Sequence, residues 1–349
     1  MFSLPETRLL ILVLEQVSRK GRVISVVVEL MLRTVDQGQM MALQRELAFS
    51  DNSRDPTSTW SKRNKKIVNN WLDHLRPVHY AVTEDFRECF HSFGSFSLAE
   101  KDKVQWLITS DEIHSWLEAP QSAVLIVEPQ THPDSVLNPV SFTSAFLAKL
   151  LRKQDYPTVC FFCSMRSNVS MEREKSGPGA MLQSVFAQLL VQIKKKRPEI
   201  NLAAFPKPDA KPLKLRNIAG LLKRICKLLD MLPDRDCVFI LLDSVLDLAG
   251  RDSEDDEVIE GILKLADDTR LTIKIMATSV FSTVVRDCGK YATLFLPDFL
   301  DGGGHAINPV FFEDDTLESL EAFETQLQSQ EESFESKDEG SDDEVIDSD

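Results

Sequence analysis

Apolar residues recur at helical spacing alone up to about residue 98. Beyond that point, helical stretches alternate with short uninterrupted apolar runs. The first helical region has two blocks, Leu9, Leu10, Val13, Leu14, Val17 and then Ile24, Val27, Val28, Met31, Leu32, Val35, with Gly21 between them. That spacing predicts an αα-hairpin, with a strand over 23–30 as the alternative because the second block is rich in valine. Residues 50–66 are polar and read as a linker or an exposed helix start, followed by helices over 67–75 and 83–90. From 103 to 116 the pattern is amphipathic. Five apolar runs then follow, at 123–127, 159–163, 237–242, 271–277 and 292–296. Helical patterns over 142–151, 181–193, 215–229 and 256–266 separate them. A continuous apolar run marks a strand buried on both faces, and strands alternating with helices mark a parallel sheet. The fold class predicted is α/β, a doubly wound parallel sheet flanked by helices. Three regions follow: a helical N-terminal region over 1–98, the α/β domain over 99–310, and a tail over 311–349.

Charge adds to this picture once it is located. The net charge is −15. Of the 55 acidic and 40 basic residues, 16 and one lie from Glu313 onward, which leaves 39 of each in the rest of the chain. The excess therefore belongs to the tail, which lacks an apolar pattern and is expected to be disordered at least from Gln326. Ser336-Lys-Asp-Glu339 and Ser341-Asp-Asp-Glu344 resemble acidophilic-kinase sites. An evenly balanced body argues against nucleic acid as a partner, which calls for positive charge gathered on one face. The basic cluster Lys62-Arg63-Asn-Lys65-Lys66 reads as a solvated surface, and Lys194-Lys-Lys-Arg197 as a favourable helix C-terminus.

Six cysteines are scattered, and Cys160 and Cys163 lie on one strand, where side chains three apart diverge. No second CxxC or HxxxH completes a zinc site. Free thiols suit a reducing compartment, and no apolar stretch approaches a membrane span, so the expected location is cytoplasmic, with no membrane partner. The six histidines form no metal pattern, and no G-x-S-x-G elbow is present. His132, Asp134 and Ser135 share one loop, but that alone does not make a hydrolase.

In parallel α/β sheets the ligand site lies past the carboxyl ends of the strands, here after Val127, Leu242 and Ala277. Trp106-Leu-Ile-Thr-Ser110, Trp116-Leu117 and the strand that follows resemble the start of the NACHT-like domain of fungal STAND proteins, the nephrocystin-3-like N-terminal P-loop module. Val159-Cys-Phe-Phe-Cys163, Met181–Leu190, Val238–Asp243 and Ile273–Ser279 are similar to that family's later elements in the same order. The resemblance spans about 105–279 and implies a P-loop NTPase-like sheet.

The resemblance also marks where a nucleotide would sit. A working Walker A loop reads GxxxxGK[ST]: glycines let backbone N–H groups wrap the phosphates, lysine neutralises them and Ser/Thr holds magnesium. Counted without gaps, the slot here is Glu128-Pro-Gln-Thr-His-Pro133-Asp134-Ser135, in which Ser135 alone survives. Pro133 lacks an N–H, Asp134 reverses the lysine's charge and Glu128 adds a second anion. Asp243 keeps the Walker B position, while Asp247 stands where the family has its catalytic glutamate. Thr278 and Ser279 occupy the sensor position, followed by Val280 where arginine is usual. This erosion implies a pseudo-NTPase without cofactor. Its partners would be proteins, among them related STAND proteins, because no lid or repeat follows the last predicted strand. The alternative is a residual ATP- or GTP-binding enzyme using Ser135 and Asp243 with magnesium. A third expectation is a chaperone-like binder of basic proteins through the tail.

Overall fold

The computed structural model describes residues 57–131, 135–154, 156–166, 177–197, 199–206, 208, 218–234, 236–245, 253–267, 270–279 and 290–300. The expected hairpin over 7–47 and the acidic tail lie outside them. Two helices open the described part, α1 (Thr57–His74) and α2 (Arg76–Ser92). Next come α3 (Leu98–Ile108), α4 (Asp111–Glu118) and the first strand, β1 (Ala123–Pro129). Helix α5 (Pro139–Lys153) leads to β2 (Thr158–Phe162). Helices α6 (Gly177–Lys196) and α7 (Ile218–Leu229) precede β3 (Cys237–Asp243). Helix α8 (Ser253–Leu263) precedes β4 (Thr272–Thr278), and β5 (Ala292–Leu296) is the last described element.

The strands form one five-stranded sheet in the order β2-β3-β4-β1-β5, and every neighbouring pair is parallel. All five expected runs are strands, with ends shifted by two residues at most. The longer reach of β1 comes from its second partner, since Glu128 and Pro129 pair with Phe295 and Leu296 after β4 has ended. The crossover from β1 jumps over β4 and β3 to the far edge, and the chain then steps back through β3 to β4. From β4 it crosses β1 to the opposite edge. Right-handed crossovers place α5 on one face and α6 to α8 on the other. The packing agrees: α2 and α3 lie against α5, and α7 and α8 against α6.

The 103–116 pattern is two helices rather than one. Thr109 and Ser110 break it by donating their hydroxyls back to the carbonyls of Gln105 and Leu107, and Ser110 Oγ then accepts the Ile113 N–H as the cap of α4. Helix α2 starts earlier than the pattern over 83–90 indicated, with a proline in its first turn.

The core is aromatic where α2 meets the sheet. Phe142 of α5 stacks on Phe93 at 4.5 Å and lies 5.7 Å from Phe90, while Phe86 meets Phe162 of β2 at 6.0 Å. Such pairs add about 0.5–1.5 kcal/mol each beyond their buried area. On the other face Trp71 of α1 meets Phe186 of α6 edge-on at 5.1 Å. Both α1 and α2 are thus seated on the α/β core.

One edge of the sheet is protected by side chains. Gln188 of α6 donates Nε2 to Cys160 O (2.7 Å) and accepts from Cys160 N (3.1 Å), completing the ladder of edge strand β2 as a partner strand would. Arg152 Nε donates to Thr158 O beside it. The two cysteines of β2 and its end diverge as strand geometry requires. Cys160 faces Arg152 and Gln188, whereas Cys163 contacts Met181.

Candidate functional site

The connection from β1 leaves toward β2, and the one from β4 leaves the opposite way. The carboxyl ends of these two adjacent strands are therefore the topological switch point, where a ligand crevice forms in this architecture. Asp243 ends β3 beside it and is 1 % exposed.

Four hydroxyls surround Asp243, each brought by a different segment. Oδ2 accepts from Ser141 Oγ (2.9 Å) in the first turn of α5, Ser164 Oγ (3.1 Å) just past β2, and Ser244 Oγ (3.3 Å). Oδ1 accepts from Thr278 Oγ1 (3.0 Å) at the end of β4. Burial pushes the carboxyl pKa up, and the hydrogen bonds from Ser141, Thr278, Ser164 and Ser244 oppose it. Ser244 has φ 55°, the left-handed region that side chains seldom adopt, and its amide donates to Thr278 Oγ1 at 2.7 Å. That bond holds the strained residue so that its hydroxyl reaches Asp243. Cys163 N to Asp243 O (2.9 Å) and Ser279 N to Val127 O (3.0 Å) fix the strand ends.

Helix α5 enters this site with its N-terminus closed. Asn138 is the cap: its Oδ1 accepts the N–H of Val140 (2.9 Å) and of Ser141 (3.2 Å), while Pro139 in the first turn has no N–H to offer.

The expected site residues fare differently. Asp243 and Thr278 meet directly, and Ser279, 2 % exposed, lies in the same strand end. Ser135 is exposed, and the α5 hydroxyl that reaches Asp243 belongs instead to Ser141, six residues on. Glu128 is buried at the end of β1, its Oε1 has no hydrogen-bond partner, and burial raises its pKa. Val127 is in register with Thr278, so Glu128, one residue on, projects to the opposite face from Asp243. Pro133, Asp134 and Asp247 lie outside the described residues, as does His132. Ser141, Ser164, Ser244 and Asn138 were not singled out from sequence. Asn138-Pro139 carried a usable signal for the last of these, a capping residue followed by proline at the first helical position.

Among the described residues, no group of three or more His, Cys, Asp and Glu side chains could hold a metal ion. No described helix is long and apolar enough to cross a membrane.

Fold and site together define an α/β parallel-sheet domain with a carboxylate and hydroxyl cluster at its switch point. The family model for the nephrocystin 3 N-terminal domain matches residues 102–280, more than half of the chain, and the chain belongs to that family. No curated protein matches it.

Proposed function

We propose that the chain is a non-catalytic pseudo-NTPase, an interaction or regulatory module related to STAND signalling proteins. The observation that carries this reading is the self-capped start of α5. A phosphate at a helix N-terminus is held by free backbone N–H groups. Here those of Val140 and Ser141 already donate to Asn138, and Pro139 has none.

Magnesium triphosphate fits these residues poorly. Ser141 and Asp243 form the hydroxyl and carboxylate half of a magnesium site. If Ser141 is taken as the magnesium hydroxyl, Asp134 and Pro139 stand in the glycine positions and Val140 in that of the lysine. In either frame residues 128–141 include no glycine, lysine or arginine. Without a cation the phosphates would face carboxylates alone, and that repulsion opposes both binding and hydrolysis. Asp243 then serves as a structural hub for four segments of the domain, the start of α5 and the ends of β2, β3 and β4. Protein partners, among them related STAND-type chains, and a cytoplasmic location follow from this reading.

A thermal-shift measurement with ATP or GTP and magnesium tests it. A ligand at a hundred times its dissociation constant stabilises by about 2.7 kcal/mol, which would move the midpoint by several degrees. No shift is expected. A shift that disappears in Asp243→Ala would favour the residual nucleotide-binding reading instead.

A further inference from the structure

Two basic runs far apart in the sequence, 62–66 and 194–197, are brought side by side by the seating of α1 on α6. Asn64, in the middle of the first run, is buried and donates Nδ2 to Ile200 O, while its Oδ1 accepts the Leu202 N–H at 3.0 Å. Ile200 lies three residues past the end of the second run. One turn or more further along α1, Trp71 donates Nε1 to Pro206 O at 2.9 Å and packs on Phe186. Helix α7 joins the same face, since the Arg224 guanidinium lies over the Trp71 ring at 5.6 Å. Lys223 and Lys227, both exposed, stand one residue before and one turn after Arg224 on the same helix.

The cations on this face divide clearly. Arg197 is buried and paired with Asp236 at 2.7 Å, which makes it structural. Arg63, Lys65 and Lys66 are exposed and Lys194 is half-buried. These four, with Lys223 and Lys227, form no ion pair among the described residues. Partial burial and the neighbouring Lys65 both push the Lys194 ammonium pKa down. Sequence alone showed an electrically balanced body; the fold brings Lys194 of one basic run near Lys65 of the other, neither in an ion pair among the described residues.

We infer that this surface, formed by α1, the C-terminal end of α6 and α7, binds the phosphate backbone of double-stranded nucleic acid. The inference goes beyond the pseudo-NTPase reading and stands independently of it. Charge density decides the occupant. The exposed large apolar side chains of the described residues, Leu98, Val136, Phe295 and Phe299, belong to other elements. Among the side chains of this face whose burial is described, none is an exposed apolar anchor for a bilayer or an exposed aromatic on which single-stranded bases could stack. A duplex presents one charge per about 1.7 Å of axis, whereas an extended acidic peptide presents at most one per about 3.3 Å. A surface that recognises charge alone gains most from the duplex.

Fluorescence anisotropy of the full chain with labelled duplex RNA and duplex DNA of roughly 20 base pairs, at about 50 mM salt, tests the inference. Saturable binding is expected, weakening with salt at a log–log slope of about −3 to −5 if four to six cations each meet a phosphate. The pair Lys65→Glu with Lys66→Glu, and separately Lys194→Glu or Lys227→Glu, should each lower affinity about tenfold or more and flatten the slope by about one per cation. Lys103→Glu, on α3 beyond the other face of the sheet, should change neither. Circular dichroism checks that each variant folds, and glutamine substitutions repeat the test for any that does not. Absence of duplex binding, an equal loss in Lys103→Glu, or equal binding to phosphatidylserine vesicles or polyglutamate would overturn the inference.

Discussion

Replacing Asp243 separates a structural hub from a magnesium ligand. In Asp243→Ala, the hydroxyls of Ser244 and Thr278 lose the acceptor they donate to, while Ser141 keeps Val136 O at 3.5 Å as a poor substitute. A buried donor left unsatisfied costs about 1–3 kcal/mol, and the vacated volume adds to this. Removing a desolvated carboxyl returns part of that loss, for a net destabilisation of about 2–4 kcal/mol. For a domain of this size that is a fall in Tm of roughly 5–15 °C, measured by circular dichroism and by urea titration. Asp243→Asn, which keeps the shape and one acceptor, should lose less. It also exposes a pH dependence. Burial raises the folded carboxyl's pKa above the ordinary value of 3.8, so the fold holds this proton more tightly than the unfolded chain does. The stability contributed by that proton is fully present below about pH 3.8 and is lost as pH rises through the folded value. The wild type should therefore lose ground to the Asn variant over that interval and hold a constant difference above it. A wild-type stability unchanged within about 0.5 kcal/mol in Asp243→Ala would refute the hub.

Two other perturbations probe the frame that carries the site. Gln188→Ala strips the Cys160 N–H and carbonyl of their partner on edge strand β2 and should cost about 1–3 kcal/mol, with increased aggregation in light scattering. Lys274, 1 % exposed on β4, donates to the carbonyls of Trp116 and Ala119 at the end of α4, and burial lowers its pKa to about 8. Between about pH 8 and 10.5 only the unfolded chain carries that proton, so stability should rise with pH there, and Lys274→Met in chemical denaturation should lack the rise.

The sheet was legible because its inner strands include runs such as Val238-Phe-Ile-Leu-Leu242, apolar on both faces, as a doubly covered sheet requires. Asp243 was legible because a polar residue ending such a run stands at the carboxyl edge. The frame of the loop before α5 was not. Counting without gaps assumed the loop length of relatives, whereas α5 begins only at Pro139 and brings Ser141, not Ser135, to the carboxylate. The Asn138-Pro139 start signal was local and available. The convergence of Ser141, Ser164, Ser244 and Thr278, and of the two basic runs, was not, since both depend on which strands and helices become neighbours.

Isothermal titration of the full chain with ATP and with GTP, each in the presence of magnesium, asks whether the loop before α5 holds a nucleotide. A loop without glycine or cation leading to a helix whose first free amides are already capped predicts no saturable heat up to about 1 mM nucleotide, a binding energy weaker than about −4 kcal/mol. Micromolar affinity that vanishes in Asp243→Ala would contradict it.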